Sequence, residues 1–170
     1  MLKSKWLCSA ALILSLLASV SWAESHAQPA PTFSLPDIYS GERNTLKQHQ
    51  GKVVYLDFWA SWCGPCRQSL PLLNELRNEL GSEYFEVIAI NLDKNPEDGK
   101  RFLQKYPVNY PVLSDVMGVT PEKYQLTGMP TSYLIDQNGQ IQGAHQGFRS
   151  SDIDKIRKAV HTLMKQGDES

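Results

Sequence analysis

The sequence has few cysteines, few histidines and no surplus of positive charge. Three cysteines among 170 residues are too few for a disulfide-stapled scaffold. The four histidines are scattered, and no two of them lie at the spacing of metal ligands. The formal net charge is −1, so the chain lacks the basic footprint of a nucleic-acid-binding protein. We therefore expect no metal or other cofactor and no nucleic-acid partner.

Long hydrophobic runs are also scarce, and the one that is present lies near the N-terminus, over residues 6–20. Two lysines precede this run, which is shorter than the ~20 residues that a spanning helix needs. Small residues at positions 21 and 23 match the pattern that a signal peptidase reads. We predict a cleaved signal peptide over residues 1–23 and a periplasmic location. An uncleaved N-terminal membrane anchor is the alternative, and cleavage after Ala27 is a second candidate.

The remainder of the chain has the length of one domain. Residues 24–31 are polar with two prolines and indicate a linker, whereas strand and helix patterns fill residues 32–166. Residues 167–170 form a short C-terminal tail. The sequence contains no repeats and no low-complexity tract. We expect a monomer with a single globular domain.

Apolar strands and amphipathic helices alternate through this domain, which predicts an α/β fold with a central mixed sheet flanked by helices. The clearest strand is Val53–Trp59, which is apolar on both faces except at Asp57. A helix should follow from about Gly64 to Leu80, with a kink at Pro71. The other predicted strands are 32–35, 85–92, 132–135 and 141–147, and an Asn138-Gly139 hairpin turn joins the last two. Further helices are predicted at 96–106 and 151–165, and a Thr120-Pro121-Glu122 signal predicts the start of another.

The chemistry of the chain is expected at Cys63 and Cys66, which lie between that strand and that helix. Loss of the leader removes Cys8 and leaves this C-x-x-C pair alone. A disulfide across so short a loop stabilises little, which favours a reactive pair. Cys63 is predicted at an exposed helix N-terminus that favours its thiolate, with Cys66 one turn later as the resolving thiol. A zinc site would need two more ligands, and the chain offers no second C-x-x-C.

The run 56–66, LDFWASWCGPC, resembles the active-site stretch of thioredoxins, and residues 128–131, GMPT, resemble their cis-proline loop. Residues 94–126 are longer than the corresponding part of thioredoxin. With the leader, these features resemble the TlpA/ResA branch of exported, AhpC/TSA-like redoxins. The resemblance implies a thioredoxin fold with an N-terminal β extension and a central β/α insertion. It also implies that Cys63 and Cys66 form the redox disulfide.

The resemblance gives Asp57 the role of a buried carboxylate behind Cys66. Burial would raise its pKa and let it accept the Cys66 proton as a catalytic base. A strand-edge position facing water is the alternative. Where thioredoxin has a lysine near this carboxylate, the chain has Ala89, so Asp57 should lack a cationic neighbour.

The resemblance also assigns a substrate-binding surface. Pro130 would be cis and face the disulfide, and the backbone of Met129 would pair with an extended substrate as an added strand. A trans proline in a plain turn is the alternative. Trp62 would cover the site, unless it only packs in the core or on the surface. The substrate-contacting set is Trp62, Gly64, Pro65, Met129 and Pro130.

The resulting hypothesis is a reductant of protein disulfides that serves cytochrome c maturation or related envelope thiol reduction. Its partners would be disulfide-bearing proteins and a membrane thiol-electron donor of the DsbD/CcdA type. A DsbA-like oxidant, which would carry a large helical insertion, is the enzyme alternative. A peroxiredoxin-type peroxidase would need a Thr-x-x-Cys nucleophile. A copper-binding module would use C-x-x-x-C with a distant histidine, a spacing that the chain does not have.

Overall fold

The computed structural model describes residues 28–168, in which a six-stranded mixed sheet is flanked by helices. The predicted signal peptide lies outside the described residues. In chain order the elements are β1 Gln28–Pro29, β2 Ser34–Pro36, β3 Arg43–Thr45, a 3-10 helix Leu46–His49, β4 Val53–Trp59, α1 Cys66–Leu80, β5 Phe85–Asn91, α2 Pro96–Lys105, β6 Val112–Ser114, α3 Val119–Lys123, β7 Thr131–Ile135, β8 Gln140–Gln146 and α4 Asp152–Asp168.

The strand order in the main sheet is β1-β8-β7-β4-β5-β6. The central strand β4 pairs in parallel with β5 and antiparallel with β7, and β5 pairs in parallel with β6. The strands β2 and β3 form a separate hairpin, the predicted N-terminal β extension. Residues 94–126, the longer stretch in which a β/α insertion was predicted, contain α2, β6 and α3. The predicted fold class is therefore confirmed.

Strand β4 separates two apolar layers because alternate side chains point to opposite faces of a strand. Its even-numbered residues pack in the cluster that includes Phe33, Tyr124 and Ile135. Its odd-numbered apolar residues pack with α1 and α4 in a second cluster, which we call the α1-side cluster: Val53, Tyr55, Trp59, Cys63, Cys66, Leu70, Leu73, Leu76, Ile156 and Val160, with others. The alternation puts Asp57 on the face of β4 that bears the two cysteines.

Two predicted helix starts are wrong. The helix α1 begins at Cys66 rather than near Gly64, with Pro65 as its N-cap residue, and it continues through Pro71. The helix α3 begins before Thr120, because the Asp115 carboxylate accepts the backbone N–H groups of residues 118–120 and Gly118 occupies the cap position. By contrast, α2 has the predicted cap, in which the Asn95 side chain accepts the Glu97 N–H.

The ends of the described chain contain more regular secondary structure than the sequence pattern indicated. In the segment predicted as a linker, Gln28 and Pro29 pair with β8, and the Ala30 N–H donates to the Gly139 carbonyl over 2.9 Å. The last helix extends to Asp168, three residues beyond its predicted end. Within residues 28–168, no helix is long and apolar enough to cross a membrane.

Candidate active site

The two cysteines follow the carboxyl end of β4: Cys63 lies in the loop that leads into α1, and Cys66 is the first residue of α1. They form a disulfide with an S–S distance of 2.06 Å and a Cα–Cα distance of 5.4 Å. Cys66 is 0% exposed and Cys63 is 4% exposed. The predicted order, with the first cysteine outside the second, is retained, but Cys63 is far less open than expected. In the oxidised protein both cysteines are therefore buried.

Cys63 precedes the helix rather than belonging to its first turn. The Pro65 carbonyl accepts the first helical N–H groups, those of Gln68 and Ser69, over 3.0 and 3.2 Å, and the Gly64 carbonyl accepts the Arg67 N–H over 3.2 Å in the turn before them. Because the Cys63 sulfur is bonded to that of Cys66, the first residue of α1, it still lies beside the helix N-terminus, whose dipole favours a thiolate. Between the cysteines, Gly64 and Pro65 bring no side-chain donor.

Asp57 is 1% exposed, so the strand-edge alternative is wrong. Burial raises the pKa of this carboxyl to about 7, although a hydrogen bond from Ser132 acts in the opposite direction. Its neighbour on β5 is Ala89, as predicted, and no cation contributes to the pKa of Asp57. A carboxyl group with this pKa changes protonation state near neutral pH, as a general base needs to.

The cis-proline loop contacts the α1-side cluster through Met129. The Met129–Pro130 peptide bond is cis, as predicted, and Met129 packs against the cluster that contains both cysteines. Strand β7 begins immediately afterwards, and Thr131 donates its hydroxyl hydrogen bond to the Gly128 carbonyl over 2.8 Å. The loop is thereby held at the start of β7, with Met129 against the α1-side cluster.

An exposed rim surrounds the buried disulfide. Trp62 is 68% exposed, so its indole is not part of the core, and Gly64 and Pro65 are exposed as well. A Cβ atom at Gly64 would meet no heavy atom within 4 Å, which shows that the approach over this residue is open. These exposed residues lie next to Cys63 and Cys66 in the sequence.

Sequence reasoning missed two residues that support the site. Ser132 on β7 donates a hydrogen bond to Asp57 over 2.6 Å. The buried Asp93 carboxylate accepts the backbone N–H and the hydroxyl of Ser61 over 3.0 and 2.9 Å, and the Asn91 side-chain amide over 2.8 Å. Asp93 thus fixes the loop just before Cys63. Asn91 and Asp93 are polar residues at the end of the apolar strand pattern, but the sequence does not show what they contact.

No cluster of three or more histidine, cysteine, aspartate or glutamate side chains suited to a metal ion occurs in the described part of the chain. The features that remain are the disulfide after β4, the buried carboxyl group on β4 and the cis-proline before β7. On this sheet topology they define a thioredoxin-fold thiol–disulfide oxidoreductase.

Comparison with known proteins agrees with this class. The AhpC/TSA family model matches residues 26–144, so the chain belongs to the AhpC/TSA family. Thioredoxin-like protein YneN of Bacillus subtilis is 35% identical over 157 residues, which cover 84% of this chain and 90% of that protein. Thiol-disulfide oxidoreductase ResA of Bacillus thuringiensis is 36% identical over 112 residues, which cover 66% of this chain and 64% of that protein.

A solved structure extends the agreement to three dimensions. The crystal structure of a Chlorobium tepidum protein assigned as thiol:disulfide interchange protein DsbE superposes with a TM-score of 0.78 at 42% sequence identity. The match covers 81% of this chain and 96% of that one. The protein is a thiol–disulfide oxidoreductase of the ResA/DsbE type.

Proposed function

We propose that this oxidoreductase works in the periplasm as a reductant of protein disulfides. The observation that carries the proposal is the Gly64-Pro65 segment between the cysteines, which brings no side-chain donor and, at Pro65, no backbone N–H to stabilise the Cys63 thiolate. A strongly stabilised thiolate favours the reduced form of such a pair and makes an oxidant. Modest stabilisation leaves the disulfide comparatively stable and the dithiol a good electron donor.

The reaction begins when the Cys63 thiolate attacks one sulfur of a substrate disulfide. A Cys63–substrate bond forms and the other substrate sulfur leaves as a thiolate. Asp57 takes the proton of the Cys66 thiol, and the Cys66 thiolate attacks the sulfur of Cys63. This step closes the Cys63–Cys66 disulfide and releases the second substrate thiolate. Two electrons have then passed to the substrate, whose thiolates take up protons from water.

Asp57 is suited to this role because it lies on the β4 face that bears the cysteines and has a pKa of about 7. The exposed Trp62 side chain and the cis-proline loop would hold the substrate beside Cys63, with its backbone paired to Met129. A membrane thiol-electron donor of the DsbD/CcdA type would reduce the disulfide again and become oxidised itself. The substrates would belong to cytochrome c maturation or to related envelope thiol reduction.

The reduction potential tests the direction of electron flow. Equilibration of the Cys63–Cys66 pair against glutathione or dithiothreitol, followed by tryptophan fluorescence, should give a value near that of thioredoxin, about −270 mV. A value near that of DsbA, about −120 mV, would instead identify an oxidant.

Trapping tests the substrate class and the location. In the Cys66→Ala protein, Cys63 should form stable mixed disulfides with envelope proteins, whereas the matched Cys63→Ala, Cys66→Ala double variant should trap none. Mass spectrometry would identify the partners. N-terminal sequencing of the protein from the same fraction should start at Glu24 or at Gln28. An intact N-terminus would indicate the membrane anchor instead.

A further inference from the structure

The two oxygen atoms of the buried Asp57 carboxylate have different surroundings. The Ser132 hydroxyl donates to Oδ1 over 2.6 Å. The other oxygen, Oδ2, is buried and has no hydrogen-bond partner among the described residues. Buried polar atoms are nearly always hydrogen-bonded, so a carboxylate oxygen without a protein donor, on the β4 face that bears the cysteines, is a candidate for a functional role.

The backbone of the sheet fixes Ser132 in this position. Ser132 is 4% exposed and lies directly opposite Asp57 in the antiparallel pairing of β7 with β4. On its other side it is paired with His145 of β8. It also follows cis-Pro130 by two residues, so one strand carries both the substrate-binding loop and the hydroxyl that contacts the carboxylate.

We propose that Ser132 is a positioning residue for thiol–disulfide exchange, whose hydroxyl holds Oδ1 of Asp57 and leaves Oδ2 free to take the proton of Cys66. The inference rests on the proposed role of Asp57 as proton acceptor. Ser132 itself touches neither the substrate nor the sulfur atoms in this scheme. It fixes which oxygen is available and favours the ionised form of the carboxyl group.

Among the described residues, Ser132 is the side chain that donates a hydrogen bond to Asp57. Tyr55 on β4 and Tyr110 before β6 have raised pKa values, first because of burial and then because of the Asp57 charge. The buried Tyr55 hydroxyl has no partner among the described residues, and Ser132 acts to lower the pKa of Tyr55 as well. The Tyr110 hydroxyl donates to the Leu70 carbonyl instead. On β5 the residue paired with Asp57 is Ala89, which carries no charge. On β8, His145 is paired with Ser132, and its ring nitrogen Nε2 lies 3.4 Å from the Asp152 carboxylate of α4.

Removal of the Ser132 hydroxyl should move the pH dependence of catalysis. Without its hydrogen bond the ionised carboxylate is less favoured, so Asp57 becomes an effective base only at higher pH. A hydrogen bond to a charged group corresponds to about one pH unit or more in such a midpoint. At high pH, where Asp57 is fully ionised in both proteins, the exchange rate should change less than it does at pH 6.5.

The experiment measures release of a substrate thiol from a preformed Cys63 mixed disulfide by stopped flow across pH 5.5 to 9.5. For Ser132→Ala, the midpoint should rise by about one pH unit, while Ser132→Thr, which keeps the hydroxyl, should restore the original profile. The matched control is Ser114→Ala on β6, since Ser114 is also buried but its hydroxyl has no partner among the described residues. Circular dichroism checks that all variants fold.

The outcomes separate this inference from the proposed function. If Asp57→Asn removes the midpoint and Ser132→Ala leaves it in place, Asp57 is the base and the role of Ser132 is refuted. If Asp57→Asn does not alter the profile, the role of Asp57 itself fails. In an Asp57→Asn background, Ser132→Ala should have no further effect on the profile, and an additional shift there would show that Ser132 acts on another group.

Discussion

At the scale of single residues, the proposed mechanism makes Asp57 the proton acceptor that lets Cys66 act as a nucleophile. Burial disfavours the charged form of the Asp57 carboxyl group and raises its pKa to about 7. Because of this pKa, the group can accept a proton near neutral pH. We expect Asp57→Asn to retain the fold and to slow mixed-disulfide resolution by ~10²-fold, the lower range for general-base catalysis. The first attack by Cys63 should be much less affected, so the two steps should be measured separately. Equal slowing of both steps would indicate a structural role.

At the scale of secondary-structure elements, the Asp93 carboxylate after β5 holds the loop after β4 that carries the cysteines. Asparagine has one acceptor oxygen instead of two, so Asp93→Asn should leave a polar group near Ser61 unsatisfied. We expect a loss of about 1–3 kcal/mol in the free energy of unfolding and faster amide hydrogen exchange at Trp62 and Cys63. Asp98→Asn is the control, because the Asp98–Arg101 ion pair lies on the surface, where such pairs contribute little. A similar loss in both variants would contradict the role assigned to Asp93.

The same scale shows what the sequence could predict. The strand β4 has the predicted bounds because a seven-residue apolar run admits few alternatives. The Asn95 cap of α2 could also be predicted, because it depends on neighbouring residues alone. The start of α3 could not be predicted in this way, because its cap, Asp115, lies outside the Thr-Pro-Glu pattern. The contacts of Ser132 with Asp57 join residues 75 positions apart. They depend on strand register, which a single sequence does not reveal.

At the scale of the whole molecule, Asp57 should make the folded protein less stable as the pH rises. In the folded protein its pKa is about 7, compared with an ordinary value of 3.8. Between these values the folded state binds more protons than the unfolded state, so the free energy of unfolding falls with increasing pH. The stabilising contribution is complete below pH 3.8 and is lost as the pH passes through about 7.

Asp57→Asn should therefore be a slower enzyme but a relatively more stable protein at alkaline pH. The difference in unfolding free energy between the variant and the unmodified protein should move in favour of the variant by up to ~4 kcal/mol between pH 4 and pH 8. His49, whose pKa burial lowers, titrates in both proteins, so its contribution cancels in this difference. Urea unfolding of the oxidised proteins at a series of pH values measures the effect. A difference that stays constant with pH would show that the carboxyl group of Asp57 is not held protonated by the fold, and the base assigned to Cys66 would have to be sought elsewhere.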